Sequence, residues 1–497
     1  MPGKLYIQQG GQKRIISVET GDNLLEVLRT NGVSVDSPCG GRGTCGKCVV
    51  DTHKGQLLTC KTIIDKSFFH TEIRIPDAGD MKILAAYENL APTQCDRSST
   101  TSYGISIDIG TTTLAFELLS MPEGTRIAAH SQANSQRKFG ADVMARITHA
   151  VEGAQAQLNA YIIKDICDGV RHIIAISKLV ESDISLVTIT GNTTMLHLLL
   201  NLPCDSLGVA PFTPVFIGMK TCSFSELFGS GLPDCDVIIL PGISTFVGAD
   251  ISAGMLCAGW PNISGNNLLI DLGTNGEMAL FSKDKIVVTS TAAGPAFEGG
   301  NISMGIGSVA GAIAKVSYLP DLHVFSHETI DGAEPVGICG TGVVDISAEL
   351  IRHGLVDETG QIESESGADE ICIVPGICFT QRDIREIQLA KSAVRSGIEI
   401  LLDIAGVSYA DLSTVFIAGG FGHKIDLKNA VTLGLIPAAL EEKVVILGNA
   451  ALGGCTKVLL SSMAESDILK LVELATEVNL ATHPQFNALF MEYMGME

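Results

Sequence analysis

Four cysteines, Cys39, Cys45, Cys48 and Cys60, fall within 22 residues in a C-x5-C-x2-C-x11-C run. Thiolate sulfur is a soft ligand that selects zinc or iron–sulfur clusters over hard cations. A structural zinc site usually pairs two CxxC-like knuckles, and this run holds one. Glycines at 40, 41, 43 and 46 let a loop wrap with its N–H groups turned towards sulfur, which suits the charge of an iron–sulfur cluster. The chemistry expected is a 2Fe–2S centre, with zinc as the alternative.

A second chemistry is written in glycine and threonine. In "IDIGTTT" a strand delivers Asp108 to a turn where Gly110 allows close backbone approach to phosphate, and Thr111, Thr112 and Thr113 offer hydroxyls. An acid beside a phosphate loop makes sense when Mg2+ lies between the two. "IDLGTNGE" repeats the pattern with Asp271, Gly273, Thr274, Asn275, Gly276 and Glu277. Further on, "IAGGFG" places Gly419, Gly420, Phe421 and Gly422 where a base and ribose could lie flat on the backbone. Two such loops and a glycine turn predict a nucleotide site; tight strand-end turns are the plainer reading of any one alone.

The elements that must hold these residues follow from periodicity. "KLYIQQGGQKRIISVE" reads as a hairpin, and "GDNLLEVLRTNG" as a helix with Asp22 as N-cap and Gly32 as its stop. With the cysteine loop and the strand "TEIRIPDAG", residues 1–78 fit a small β-grasp domain of α+β type. Residues 79–102 read as a linker. From Tyr103 onward strands alternate with helices, and "DIREIQLAKSAVRSGIEILLDIAG" is a long amphipathic helix. The spaced recurrence of Asp-x-Gly-Thr predicts a duplicated α/β unit, divided as 103–265 and 266–497.

Composition narrows the classes. A 497-residue chain with 46% apolar residues is too long for one core. The net charge of −22 argues against nucleic acid or an anionic membrane as partner. It is unevenly spread, because residues 1–78 hold ten Lys and Arg against eight Asp and Glu. No apolar run approaches a membrane span and no signal peptide is evident, so a cytoplasmic protein is expected. Without export, the fourteen cysteines are expected as reduced thiols or ligands, most of those outside the loop being small buried apolar residues.

The two Asp-x-Gly-Thr loops with "IAGGFG" resemble the acetate/sugar kinase, heat-shock cognate and actin superfamily, in which two ribonuclease-H-like, actin/hexokinase-type domains hold ATP between them. On that resemblance Asp108–Thr113 and Asp271–Glu277 are the phosphate motifs, and Ala418–Gly422 is the adenosine motif. "TGNTTM" and "LGNAALGG" are the connecting motifs. The cysteine spacing is nearer adrenodoxin-type than plant-type ferredoxins, the latter having C-x4-C-x2-C, although Cys60 comes sooner than in either. A ferredoxin ahead of such an ATPase, together with "NSQRKFGADVMARI", "AAGPAFEGGNISMG", "GICGTGVVD" and "QRDIREIQLAKSAVRSGI", resembles the reductive activators of corrinoid proteins. Larger members carry a further domain where this chain has only its linker.

That resemblance implies a 2Fe–2S cluster on Cys39, Cys45, Cys48 and Cys60, with ATP and Mg2+ in the cleft. It implies a corrinoid protein of a methyltransferase system and an electron-donor protein as partners, and a homodimer. Asp108, Asp271 and Glu277 are the expected catalytic acids. It explains why one chain carries both chemistries. Reducing protein-bound Co(II) from a ferredoxin-type cluster is uphill; a gap of about 120 mV costs about 2.8 kcal/mol per electron, and ATP could offset it. A small-molecule kinase with a regulatory cluster, and an ATP-gated binding module with a structural one, are the competing readings. Glu298 is a further acid near the second loop, and His423 could approach the nucleotide. His197 and Trp260 read as packing, Met144 and Met304 as core. Arg385 and Lys391 share the long helix, where charges are usually solvated.

Overall fold

The computed structural model describes residues 3–9, 12–33, 35, 48–52, 55–75, 95–97, 102–121, 123–229, 233–363, 369–419 and 425–496. Cys39, Cys45, Gly420, Phe421, Gly422 and His423 lie outside them.

Among the described residues the first unit is a five-stranded sheet with one α-helix. β1 (Gly3–Gln9) and β2 (Gln12–Val18) form the expected hairpin, and α1 (Leu24–Thr30) follows. The sheet is completed by β3 (Val49–Thr52), β4 (Gly55–Leu58) and β5 (Glu72–Arg74), in the order β2-β1-β5-β3-β4 with β5 parallel to β1. This is a β-grasp sheet. Alternation along β1 and β2 sends Leu5, Ile7, Ile16 and Val18 inwards, where they meet Leu24, Leu25 and Leu28 of α1. The helix is capped by Asn23 rather than Asp22: Asn23 Oδ1 accepts from the N–H groups of Leu25 and Glu26. Asp22 instead accepts from the Glu19 N–H. Gly32, at φ +70°, follows the C-cap Asn31.

Two matching sheets make up the rest. The first comprises β6 (Tyr103–Ile109), β7 (Thr113–Ser120), β8 (Thr125–Ala133), β9 (Ile184–Gly191), β10 (Lys220–Ser223) and β11 (Asp236–Ile239), ordered β10-β11-β9-β6-β7-β8. Its helices are α2 (Val143–His149), α3 (Gln155–Ile176), α4 (Thr193–Leu199), α5 (Asp205–Gly208), α6 (Phe224–Phe228) and α7 (Ala249–Cys257). The second contains β12 (Asn266–Leu272), β13 (Gly276–Phe281) and β14 (Ile286–Thr291). An excursion then adds β15 (Ala312–Leu319), β16 (Val324–Thr329), β17 (Gly337–Ile338), α8 (Gly340–Arg352), and the hairpin β18 (Glu370–Val374) and β19 (Ile377–Thr380). The chain returns through α9 (Gln381–Ala405), β20 (Leu412–Ala418), α10 (Leu427–Thr432), β21 (Val444–Gly448), α11 (Ala450–Leu460), α12 (Ser462–Leu474), β22 (Ala475–Glu477) and α13 (Phe486–Glu492). The second sheet runs β21-β20-β12-β13-β14-β22.

The duplication is therefore real at the level of topology. In each sheet an antiparallel three-strand meander is followed by a strand parallel to the first, β9 on β6 and β20 on β12, and then by one parallel to that. The order is that of a ribonuclease-H-like fold. The halves also interlock. Helix α7 places Ile251, Met255 and Cys257 in the core of the second sheet, and Ala249, Ala253 and Leu256 in that of the first. Helix α11 returns Cys455, Val458 and Leu459 to the first core.

Other expectations are corrected or met in detail. Cys372 and Cys378, opposite one another in the β18–β19 hairpin, form a disulfide, so two of the cysteines outside the loop are neither reduced nor buried apolar residues. Seven others (Cys167, Cys204, Cys222, Cys235, Cys257, Cys339 and Cys455) are buried thiols. Met144 is 45% exposed and is not core, because α2 turns it outwards, whereas Met304 packs against the second core. Trp260 is buried with its Nε1 donating to the Ser282 carbonyl at 3.1 Å. Lys391 is buried and bonds the Gly495 carbonyl, and Arg385 donates to the Thr359 carbonyl at 2.7 Å.

Candidate nucleotide cleft and cysteine loop

Asp108 is the penultimate residue of β6 and Asp271 that of β12. Both loops that follow are tight because a glycine N–H folds back: Gly110 onto the Thr113 carbonyl at 2.9 Å, Gly273 onto that of Asn275 at 3.1 Å. A Cβ on Gly110 would come within 2.7 Å of the Thr113 carbonyl. The duplication extends to the neighbouring strand ends. Gly191, ending β9, lies against Ile109, and Gly419, just beyond β20, lies against Leu272; a Cβ would meet those carbonyl oxygens at 2.8 and 2.5 Å. Gly419 has φ +99° and sits close enough to Asp271 that its Cβ would be 2.9 Å from Oδ1. Glycine is required there both for conformation and for room.

The acids converge. Glu277 is the cross-strand partner of Asp271, and Glu298 Oε2 accepts from Thr274 Oγ1 at 2.9 Å. Asp250, in the first turn of α7, joins them. Desolvation raises each carboxyl. Asp108 is pushed up to about 7, although Asn449 Nδ2 donates to its Oδ2 at 2.9 Å, and Asp250 repels it. Asp271 rises to about 8, with Asp250, Asp108 and Glu298 adding like charge. Asp250 rises to about 6, and Glu277, beside Asp250 and Asp271, stands well above the usual carboxylate range. A cluster of desolvated acids, some raised further by their neighbours, could hold a divalent cation, which would reverse the penalty.

Asparagines hold the frame. Asn192 caps α4 through the Met195 N–H at 2.9 Å, while its Nδ2 reaches Thr111 Oγ1 at 3.0 Å. Asn449 caps α11 through the Leu452 N–H at 2.8 Å and reaches Asp108. Both lie in stretches expected to be connecting motifs, but their side chains were not singled out by spacing, and neither was Asp250. The signal for Asp250 was an acid entering an apolar run, "GADISAGML". His197 is a satisfied core histidine, its Nδ1 2.7 Å from the Thr193 carbonyl oxygen and its Nε2 accepting from the Val215 N–H at 3.1 Å.

Of the cysteine loop, Cys48 and Cys60 are described. Cys48 is buried at the mouth of β3, and Cys60 lies in the short turn Thr59–Lys61. They are tied: the Thr59 N–H and Oγ1 donate to the Cys48 carbonyl at 2.9 and 3.1 Å, and the Cys60 N–H donates to Cys48 Sγ at 3.5 Å. Asn23 Nδ2 fixes the Cys60 carbonyl at 2.9 Å. A backbone N–H on sulfur stabilises thiolate and suits a cluster ligand.

The model described as the C-terminal domain of RACo, the ASKHA domain, matches residues 265–497. The RACo middle region matches residues 103–261, and a 2Fe-2S iron-sulfur cluster binding domain matches residues 7–89. The corrinoid activation enzyme RamQ of Eubacterium limosum is 34% identical over 415 residues, covering 78% of this chain and 69% of the relative. The [Co(II) methylated amine-specific corrinoid protein] reductase of Methanosarcina barkeri is 27% identical over 420 residues, covering 78% and 76%. A solved structure titled reductive activator for corrinoid, iron-sulfur protein superposes with a TM-score of 0.73 at 25% identity, covering 99% of this chain and 98% of that one.

Proposed function

This chain belongs to the family of reductive activators of corrinoid proteins, and from that premise we propose how its residues divide the work. The enzyme reductively activates a corrinoid protein, returning inactive Co(II) to Co(I) at the expense of ATP. The observation that carries the reading is one chain holding both a cysteine loop with N–H-to-sulfur bonding and a duplicated, acid-lined nucleotide cleft.

Residues 1–78 are assigned to the ferredoxin-like domain, 79–102 to the linker, and 103–265 and 266–497 to the two ATPase domains. Cys39, Cys45, Cys48 and Cys60 would hold a 2Fe–2S cluster, which when bound supplies one electron at a time. Gly110 to Thr113 and Gly273 to Gly276 cradle the phosphates, and Gly419 to Gly422 bear the adenosine. Asp108 and Asp271 would hold Mg2+, which when bound would supply positive charge beside the phosphates, and Glu277 would orient the attacking water. Binding of ATP favours one arrangement of the two halves. That can drive the electron only if the arrangement grips Co(I) more tightly than Co(II), since a ligand shifts an equilibrium by its differential affinity. A separate electron-donor protein and a homodimeric assembly complete the proposal, on the family resemblance.

The test is a visible spectrum of a cob(II)alamin-bearing partner mixed with reduced protein, with and without ATP. The Co(I) band is expected only with ATP. Equal Co(I) formation without nucleotide would remove ATP from the electron step, and phosphorylation of a metabolite would favour a kinase.

A further inference from the structure

The stretch "NSQRKFGADVMARI" carries a buried arginine that the proposed chemistry leaves unused. Arg146, on α2, is 0% exposed. Its donors go to neutral acceptors: Nε to the Gly140 carbonyl at 3.1 Å, Nη1 to Gln136 Oε1 at 3.4 Å and Met195 Sδ at 3.2 Å, and Nη2 to the Thr111 carbonyl. Among the described residues no carboxylate accepts from it. Asp142 and Asp165 favour its charge only from a distance, against desolvation and Arg137, and a buried charge without a hydrogen-bonded counter-ion is costly, so its place in the fold calls for a reason.

That reason lies in the first phosphate loop. Three successive carbonyls of the loop are drawn away from the cleft by this stretch. Asn134 Nδ2 takes the Gly110 carbonyl at 2.9 Å, Arg146 takes that of Thr111, and the Asn134 N–H takes that of Thr112 at 2.9 Å. In a trans peptide the carbonyl and the following N–H point in opposite directions. Tying back these carbonyls therefore turns the N–H groups of Thr111, Thr112 and Thr113 the other way. Among the described residues the Thr111 and Thr112 N–H groups have no acceptor. We propose that Asn134 and Arg146 are a clamp that presents the first loop's N–H groups to the phosphates, with Arg146 as a positioning residue whose buried charge is compensated when the anion binds. The inference rests on the reading of the cleft as an ATP site.

Among the described residues the second loop has no such backing. Its threonine donates to Glu298, and Glu277 and Asp250 stand beside it. The two loops thus differ: the first has its carbonyls tied back behind it, and the second has acids beside it.

The experiment compares Arg146→Lys and Asn134→Ala with wild type in the full chain, by titrating ATP–Mg2+ and, separately, adenosine. Lysine keeps the charge but loses the planar fork. Loss of one loop N–H contact to the charged phosphate predicts ATP binding about tenfold weaker in each variant, with adenosine affinity unchanged. A structural role alone would weaken adenosine equally. Equal loss for both ligands, or unchanged ATP affinity, would overturn the clamp. If thermal melting shows that Arg146→Lys does not fold, Asn134→Ala, which leaves the buried charge in place, decides by the same readout. Failure of wild type to bind ATP would overturn the nucleotide reading itself, and the clamp with it.

Discussion

Single side chains in the cleft set a pH dependence whose sign follows from burial. An ordinary aspartate titrates near 3.8, whereas Asp250, Asp108 and Asp271 stand at about 6, 7 and 8. Between those limits the folded chain holds protons that the unfolded chain has released, so stability falls as pH rises. The stabilisation is fully present below about pH 4 and is lost through about pH 6–8. Metal-free protein should melt at lower temperature at pH 8.5 than at pH 6, and added Mg2+ should raise the melting temperature more at pH 8.5, where the carboxylates are ionised. An equal Mg2+ shift at both pH values would show that these acids do not hold the cation. The cysteines make a second prediction at this scale. Cys48→Ser should abolish the visible absorption of anaerobically purified protein, whereas Cys95→Ser should leave it intact; the reverse result would dismiss the four-cysteine assignment. Placement was legible where a motif enforced it, as for Asp108 and Asp271 at the ends of matching strands. It was not legible at Asp250, because an acid entering an apolar helix has no spacing partner in sequence and meets the other acids only through the fold. Asp22 and Asn23 are both good caps, and the choice between them depends on Asn23 also reaching Cys60.

Elements were legible where period and punctuation agreed. Helix α9 is closed by a capping box between Thr380 and Asp383 and stopped by Gly406 at φ +68°. The crossing of α7 and α11 was not legible, since the two helices are some 200 residues apart and both are simply small and apolar. Their contact is close: a Cβ on Gly454 would fall 1.8 Å from the Ala253 carbonyl oxygen. Gly454→Ala sets two effects against each other. Helix propensity favours alanine by about 1 kcal/mol, while overpacking a tight core costs about 1–3 kcal/mol. Because the clash is with backbone, the cost should win, and the variant should unfold at lower denaturant concentration than wild type. A more stable variant would mean that the helices separate freely. Asp96 and Arg97, inside the expected linker, are docked on the ends of α11 and α12. Asp96 accepts from Ser461 Oγ and the Ser462 N–H, both at 2.8 Å, and Arg97 donates to the Val458 carbonyl at 3.1 Å and pairs with Glu465. A fragment beginning at residue 95 should therefore bind ATP–Mg2+ and be more stable than one beginning at 103, by about 1–2 kcal/mol for the lost cap. Equal stabilities in urea would show that this contact is idle.

For the whole molecule the decisive matter is coupling between a metal loop and a nucleotide cleft in different parts of the chain. Asp108 allows the two to be separated. Asp108→Asn keeps the shape, and the Asn449 side chain can still donate to the remaining carbonyl oxygen. It removes one of several mutually repelling acids, so the fold should survive and stability at pH 8 should not fall. On the proposed reading it takes away a charge for Mg2+, so ATP turnover should drop by at least about tenfold. The ferredoxin-like sheet has its own core, built from Leu5, Ile7, Leu24 and Leu28, and should still assemble its cluster and accept electrons from a chemical reductant. The expected outcome is a normal visible spectrum with little ATP-dependent Co(I). If this variant formed Co(I) as fast as wild type at the same ATP concentration while turning over little ATP, hydrolysis would not drive the electron. Nucleotide binding alone would then have to do so, through a difference in how tightly the two halves hold each cobalt state.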